Sequence, residues 1–180
     1  MLKQTHMSYH TIPIGEQAPE IINAVIEIPR GSHHKYEYDE QMDIIRLDRV
    51  IHSPVFYPTD YGFIPETRSE DGDHLDVMML ITEPVFSGCV VSARVVGILD
   101  MEDEAGQDWK IVAVADSDPK LSHVQDITDM DEHFKKEIVQ FFEQYKQLEG
   151  KWATVKGWLD KKEAIKRIQE ARVKFSSESK

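Results

Sequence analysis

Three aspartates stand close together near the middle of the chain, with a glycine between the first two. Asp71, Asp73 and Asp76 are followed at once by an apolar run, 77–81, that predicts a β-strand. Because Gly72 tolerates backbone angles that other residues avoid, a tight turn can point Asp71 and Asp73 in the same direction. Converging carboxylates repel each other unless cations lie between them, and oxygen ligands at this density suit Mg²⁺ or Mn²⁺. The motif alone fits a solvated acidic turn equally well.

A second acidic segment, 100–110, lies between two apolar runs, 89–99 and 111–115, that predict strands. We expect a loop here that is a second candidate for metal binding, although spacing does not decide which of its acids would be ligands. Asp108 and Lys110 are two positions apart on the incoming strand and therefore share a face. Together they could hold a cation and an anion side by side.

Two alternating segments, 35–39 and 44–50, predict a hairpin with charged side chains on one face. Lys35 and Glu37 lie on that face, opposite the tyrosines of the first strand. Ion pairs across the hairpin would explain these charges. A charged lining for a binding site is the other interpretation, and the residues alone leave both open.

Glu27 and two tyrosines are unusual for the apolar segments that contain them. Glu27 lies in the run 21–28, where a buried carboxylate without a partner costs free energy, so an outward-facing strand position is the simpler explanation. Prolines and a glycine in 54–65 predict an irregular path. Tyr57 and Tyr61 in that segment each offer a hydroxyl group to a polar ligand, although core packing explains them equally well.

Apolar residues recur at helical spacing in two C-terminal segments. The first, 131–150, carries Tyr145 on its apolar stripe, so Tyr145 is by default a core residue and Lys146 a solvated one. Asp160 is the predicted N-cap of the second helix. With five or more short and largely antiparallel strands before them, these helices indicate a mainly β domain of the α+β class.

Length and charge limit the classes of function. At 180 residues with a formal net charge of −12, the chain fits one domain, 1–180, and lacks the clustered cations of a nucleic-acid binder. We expect an extended leader over 1–20 and a frayed tail over 176–180. No apolar run approaches the ~20 residues of a membrane span, and no signal peptide is evident, so we expect a cytoplasmic protein with no membrane partner. Cys89, the single cysteine, is expected to be a buried strand thiol.

Seven short motifs stand in order along the chain, and common nucleotide-binding, serine-hydrolase and zinc-protease motifs are absent. Each motif is weak alone, but all seven in order are specific. They are Val25-Ile26-Glu27-Ile28-Pro29, Lys35-Tyr36-Glu37, Asp48-Arg49, Tyr57-Pro58-x-x-Tyr61-Gly62, Asp71-Gly72-Asp73-x-x-Asp76-Val77, Asp103-Glu104-x-Gly106-x-Asp108-x-Lys110 and Phe141-Phe142-x-x-Tyr145-Lys146. In this order they closely resemble the soluble family I inorganic pyrophosphatases, over about residues 21–158.

The resemblance implies a five-stranded OB-like β-barrel with two C-terminal helices packed outside, and a role for each motif residue. Asp73 would be the general base that deprotonates an attacking water. The implied metal ligands are Asp71, Asp76, Asp103, Asp108 and Glu37. The implied phosphate-binding residues are Lys35, Arg49, Tyr61, Lys110, Tyr145 and Lys146. Glu27 and Tyr57 would line and support the cavity.

The resemblance also implies the cofactor and the partners. Mg²⁺ would be bound, three to four ions per site in the family, with Mn²⁺ or another divalent ion as an alternative. The implied substrate is pyrophosphate and the implied assembly a homo-oligomer, with a hexamer favoured. One position departs from the family pattern: His74 stands where proline is usual, which is expected to loosen the loop and to add a titratable group near Asp73.

Two other classes of function fit some of these features. A D-x-D motif also serves metal-dependent glycosyl- or nucleotidyltransferases, but the chain is short and has no βαβ nucleotide-binding pattern. A non-catalytic metal-binding or interaction protein could have the same fold. Such a protein is expected to have lost Asp73 or a basic residue of the site, and all of them are present.

Overall fold

Apolar runs rich in β-branched residues form most of the strands, as predicted. The computed structural model describes residues 8–178. The strands are β1 (Ile21–Ile28), β2 (His34–Asp39), β3 (Ile44–Val50), β4 (Asp60–Ile64), β5 (Leu75–Leu80), β6 (Val90–Asp103), β7 (Gly106–Ala115) and β8 (Ala153–Leu159). The helices are α1 (Glu132–Gln144) and α2 (Lys161–Glu178), and short 3₁₀ turns occupy Tyr9–Thr11, Pro119–Leu121, Ile127–Asp129 and Gln147–Glu149.

Five strands close into a ring. Their order is β1-β4-β5-β7-β6, and β6 pairs again with β1. The pairing of β5 with β7 is parallel and the others in the ring are antiparallel. Gly62 lets β4 approach β1, because a Cβ there would lie 1.9 Å from the carbonyl oxygen of Val25. The predicted five-stranded barrel is confirmed.

The two helices cover different parts of the hydrophobic core. Ile138, Phe141 and Phe142 of α1 belong to one buried cluster, and Ala164 and Ile168 of α2 to another. Alternate residues of the ring strands divide between the two clusters, as the two-residue period of a strand requires. Both helices were predicted, although α1 ends at Gln144 rather than at 150.

The second acidic segment is a hairpin rather than the predicted loop. β6 continues to Asp103, β7 begins at Gly106, and Met101 pairs with Asp108 across the hairpin. The prediction was wrong because acidic residues suggest a solvated loop, whereas the side chains of Asp103 and Asp108 are only 12% and 21% exposed and stand on paired strands. β8, which pairs with the extended β6, was not predicted.

Other local expectations also need correction. The segment 54–65 is not irregular throughout, since Asp60–Ile64 forms β4. Cys89 is half-exposed and precedes β6 instead of lying buried within it.

The ends of the described chain are more ordered than predicted. Residues 8–20 of the expected extended leader are anchored at Ile14, which is buried and whose N–H donates a 3.0 Å hydrogen bond to Glu66. The helix α2 continues to Glu178, beyond the start of the expected frayed tail. Residues 1–7 and 179–180 lie outside the described part of the chain. No helix within residues 8–178 is long and apolar enough to cross a membrane.

Candidate active site

One cavity of about 760 Å³ collects every candidate site residue. Its walls include all fourteen side chains to which the resemblance gives a role. They are Glu27, Lys35, Glu37, Arg49, Tyr57, Tyr61, Asp71, Asp73, Asp76, Asp103, Asp108, Lys110, Tyr145 and Lys146. These residues come from β1, the β2–β3 hairpin, β4 and the segment before it, β5 and the loop before it, β6, β7 and the residues that follow α1. The barrel therefore brings together groups that are up to 119 positions apart in the chain.

The loop before β5 carries Asp71 and Asp73. Gly72 has a φ of +97°, in the left-handed region, and the N–H of Asp73 donates a 3.1 Å hydrogen bond to Oδ1 of Asp71. The turn proposed from the sequence is thus present. Burial raises the pKa of Asp73, and the neighbouring carboxylates of Asp71 and Asp76 raise it further. Asp73 is therefore more basic than an ordinary aspartate.

Arg68 anchors this loop from outside the cavity. Its Nη1 donates to the carbonyl oxygen of Gly72 at 2.7 Å and lies 3.0 Å from Oε1 of Glu40, while its Nε lies 2.9 Å from Glu178. The guanidinium group thereby joins the aspartate loop to the end of α2. Arg68 and Glu40 belong to no motif, so neither is among the residues predicted from the sequence.

His74 does not loosen the loop as predicted. Its ring stacks on Phe63 with centroids 4.9 Å apart, Nδ1 lies 2.8 Å from the carbonyl oxygen of Thr67, and Nε2 lies 2.8 Å from Glu40. Burial lowers its pKa, with opposing contributions from the Thr67 carbonyl and Glu40. The histidine replaces the rigidity of proline with packing and hydrogen bonds.

Lys110 lies between two of the aspartates. Residue 110 on β7 is the partner of Asp76 in the parallel β5–β7 register, and Asp108 shares its strand face, as predicted. The Lys110 ammonium group contacts both carboxylates. Burial raises the pKa of Asp108 despite the adjacent Lys110. Burial lowers the pKa of Lys110, but the two aspartates outweigh this effect and keep the amine protonated.

A second lysine pairs with the acidic hairpin. Nζ of Lys146 lies 2.7 Å from Oδ2 of Asp103 and 3.5 Å from Glu104. Burial raises the pKa of Asp103, but the hydrogen bond from Lys146 reverses the shift and leaves this pKa below its usual value. Lys146 was expected to be solvated by default, but it is buried at the cavity wall.

The hairpin β2–β3 supplies an oppositely charged pair of side chains to the cavity wall. Lys35 contacts Glu37 on the same strand face and lies 3.9 Å from Asp48. Glu27 of β1 is buried and accepts a 2.6 Å hydrogen bond from the N–H of Tyr38. Glu27 therefore faces the cavity and is not the outward-facing strand residue that its position alone favoured.

Three tyrosines pack in the hydrophobic core and also line the cavity. Tyr57 and Tyr61 are buried with ring centroids 5.5 Å apart, and Tyr145 stacks on Phe141 at 5.3 Å. All three also line the cavity. Burial raises the pKa of Tyr57 and of Tyr61 well above its ordinary value, so both hydroxyl groups remain protonated donors.

The donor set of the cavity fits divalent cations. Among the described residues, eleven carboxylates and five lysine or arginine side chains line it. Burial and mutual repulsion raise the pKa values of Glu27, Asp73 and Asp108. A bound cation would stabilise the charged forms of these carboxylates. Within residues 8–178, however, no three His, Cys, Asp or Glu side chains are arranged to hold an ion as they stand. At Asp76 and Asp108 an ion would share the carboxylates with the Lys110 ammonium group, which contacts one oxygen of each.

The closed barrel and its cavity of carboxylates and cations fit an enzyme that acts on a small anion, and comparison with known proteins identifies the class. A family model described as inorganic pyrophosphatase matches residues 24–176. The inorganic pyrophosphatase of Thermus thermophilus is 52% identical over 162 residues, which cover 88% of this chain and 93% of that protein. That of Saccharolobus solfataricus is 48% identical over 160 residues, with 87% and 93% covered.

The comparison of structures agrees. The crystal structure of the Thermus thermophilus inorganic pyrophosphatase matches with a TM-score of 0.91 at 48% identity, covering 94% of this chain and 99% of that one. The chain belongs to the inorganic pyrophosphatase family, a family of enzymes that hydrolyse pyrophosphate. The resemblance drawn from the seven motifs and the expected OB-like barrel are both confirmed.

Proposed function

We propose that this chain hydrolyses inorganic pyrophosphate to two orthophosphates in a reaction that depends on Mg²⁺, with Asp73 as general base. The supporting observation is that all fourteen candidate residues, from Glu27 to Lys146, line one cavity. An acidic protein would otherwise repel a polyanion. In this cavity, local lysine and arginine side chains together with bound cations can offset that repulsion.

Asp71, Asp76, Asp103, Asp108 and Glu37 would hold the metal ions, three to four per site, with Mn²⁺ or another divalent ion as a substitute. Their hard carboxylate oxygens are the donors that Mg²⁺ prefers. When bound, these ions supply charge neutralisation at the phosphoryl oxygens and acidify the attacking water.

Asp73 takes the proton of the attacking water. Its pKa is raised by burial and by Asp71 and Asp76, which makes it a better base than an ordinary aspartate. Because Gly72 and Arg68 fix the loop, the carboxylate is held in position before substrate binds. Water attacks phosphorus directly, so no nucleophilic side chain is needed.

Six side chains bind the two phosphates. Lys35 and Arg49, on the hairpin wall, hold the leaving phosphate, and their fixed positive charges stabilise the negative charge that develops on it. Lys110 and Lys146 supply further ammonium groups, and Tyr61 and Tyr145 donate hydroxyl hydrogen bonds. Glu27 and Tyr57 support the cavity behind them.

Orthophosphate release from pyrophosphate, with Mg²⁺ and no nucleotide, tests the proposal. The parent should release orthophosphate, and Asp73→Asn should lower kcat by about 10²- to 10⁴-fold, the usual contribution of a general base. Asp116→Asn is a matched control, since Asp116 is exposed and lies outside the cavity wall. An inactive parent, or product formation only with a nucleotide, would refute the proposal and favour a transferase.

We further propose that the chain is a single domain, 1–180, that works in the cytoplasm as a homo-oligomer, with a hexamer favoured. This assembly follows from the family resemblance drawn from the sequence motifs. Analytical ultracentrifugation of the purified protein tests this assembly. A monomer at micromolar concentration would contradict it.

A further inference from the structure

The position of Arg49 in the cavity depends on side-chain contacts. Arg49 lies on β3, and β2 and β3 form a separate two-stranded sheet outside the six-stranded one. No ladder of backbone hydrogen bonds therefore joins this hairpin to the barrel within the described chain. A residue that fixes Arg49 from the body of the protein would also fix the hairpin.

Glu149 makes this connection. It ends the 3₁₀ turn Gln147–Glu149, three residues after Lys146, and its Oε2 lies 2.8 Å from Nε of Arg49. The Glu149 side chain is only 7% exposed and that of Arg49 25% exposed, so this ion pair is largely shielded from water. A shielded pair is screened much less by salt than a surface pair.

Burial of the Glu149 carboxylate costs free energy. Oε1 of Glu149 and Nε of Arg49 are both buried without a hydrogen bond among residues 8–178, so the 2.8 Å contact to Oε2 is an ion pair rather than an aligned hydrogen bond. A buried carboxylate oxygen without a partner destabilises the folded state, and only a nearby positive charge offsets this cost. Arg49 supplies that charge.

The Arg49 guanidinium group has N–H donors available for a ligand. Asp48 pairs with Nη1 of Arg49, and Glu149 faces Nε, while Arg49 lines the cavity. A guanidinium group has five N–H donors in a fixed plane, so a contact of Nη1 with Asp48 leaves several donors for a phosphate. The charges of Asp48 and Glu149 thereby orient the guanidinium group.

We propose that Glu149 is a positioning residue for pyrophosphate hydrolysis: it holds the Arg49 guanidinium group at the cavity wall and ties the β2–β3 hairpin to the segment that carries Tyr145 and Lys146. The inference rests on the proposed function. Glu149 itself is not a lining residue of the cavity and touches the substrate only through Arg49.

The test compares Glu149→Gln with the parent in Mg²⁺-dependent orthophosphate release. Glutamine keeps the size of the side chain but removes its charge. We expect kcat/KM for pyrophosphate to fall about tenfold, with KM raised and kcat lowered, because Arg49 both binds the leaving phosphate and stabilises the charge that develops on it. Glu137→Gln, on the exposed face of α1, is the matched control and should behave as the parent.

A double-mutant cycle separates positioning from general destabilisation. In an Arg49→Ala background, Glu149→Gln should raise KM no further, since its effect acts through Arg49. An unchanged KM in the single variant, or an equal rise in both backgrounds, would overturn the inference while the parent remained active. An inactive parent would overturn the proposed function and this inference together.

Discussion

Nζ of Lys146 lies 2.7 Å from Oδ2 of Asp103, although the two residues are 43 positions apart. A proposed phosphate-binding cation thus neutralises a proposed metal ligand. Lys110 has the same relationship to Asp76 and Asp108. The lysines and carboxylates of the cavity are therefore paired with each other in this structure. On binding, the carboxylates would pair with divalent ions and the lysines with phosphate instead. Such an exchange links metal binding to substrate binding.

Lys146→Gln should strengthen the binding of Mg²⁺ and weaken the binding of pyrophosphate. Removal of the ammonium group frees Asp103 from a competing cation, so Mg²⁺ should bind about 3- to 10-fold more tightly in the absence of pyrophosphate. KM for pyrophosphate should rise, because one phosphate ligand is lost. Isothermal titration calorimetry with Mg²⁺ and steady-state kinetics measure the two effects. Lys166→Gln, an exposed position on α2, serves as control, and weaker Mg²⁺ binding by Lys146→Gln would contradict the exchange.

Glu27 should make the stability of the metal-free protein depend on pH. Burial, and then Asp76, raise its pKa from 4.5 to about 8, against the opposing N–H of Tyr38 and charge of Lys35. The folded state therefore binds an extra proton between these two pH values, and the free energy of unfolding should fall as pH rises through this window. One such group contributes a slope of at most about 1.4 kcal/mol per pH unit.

Urea unfolding from pH 5 to about 8.5 with a chelator present measures this dependence for the parent and for Glu27→Gln. The free energy of unfolding of Glu27→Gln should lack the pH dependence that Glu27 causes. The variant should therefore gain stability relative to the parent as pH rises. Glu137→Gln, which changes an exposed carboxylate, should keep the parental slope. Parallel curves for the parent and Glu27→Gln would contradict a raised pKa.

Arg68→Ala should loosen the aspartate loop. The substitution removes the contacts to Gly72, Glu40 and Glu178, so the position of Asp73 becomes less well defined. A small misplacement of a catalytic group is costly, and we expect kcat to fall about tenfold or more. Hydrogen exchange should accelerate at residues 69–74. Arg172→Ala, exposed on the same helix as Glu178, is the control, and unchanged exchange with unchanged kcat would refute the anchoring role.

His74→Pro should preserve hydrolysis but alter metal binding or the pH profile. The change removes the stacking on Phe63 and the contacts to Thr67 and Glu40 while it stiffens the backbone next to Asp73. We expect a shift of several-fold in Mg²⁺ affinity, measured by calorimetry beside a pH–rate profile. His133→Ala, 80% exposed at its side chain, is the control. Identity with the parent in both measurements would show that the histidine has no such role.

Local patterns predicted much of this site because the rules that govern them are local. The shared face of Asp108 and Lys110 follows from the two-residue period of a strand, and the Asp71–Asp73 turn follows from Gly72. The helical stripe that carries Tyr145 follows from the 3.6-residue period. Each of these predictions depends only on residues that are close together in the sequence.

Predictions failed where distant segments decide the environment. The charges of the acidic segment predict a solvated loop, but pairing with β8 extends β6 to Asp103. His74 was expected to loosen its loop because its stacking partner Phe63 lies on another strand. Arg68 and Glu149 belong to no motif, and no sequence signal could have identified their partners.

The sequence by itself determined which chemical groups are available and which of them share a turn or a strand face. Tertiary structure alone decided that Glu27 is buried, that Lys146 reaches Asp103, and that Glu149 reaches Arg49 across 100 positions. The physical reason is that burial and charge pairing depend on distances through space. Closure of the barrel sets those distances, and spacing along the chain does not encode them.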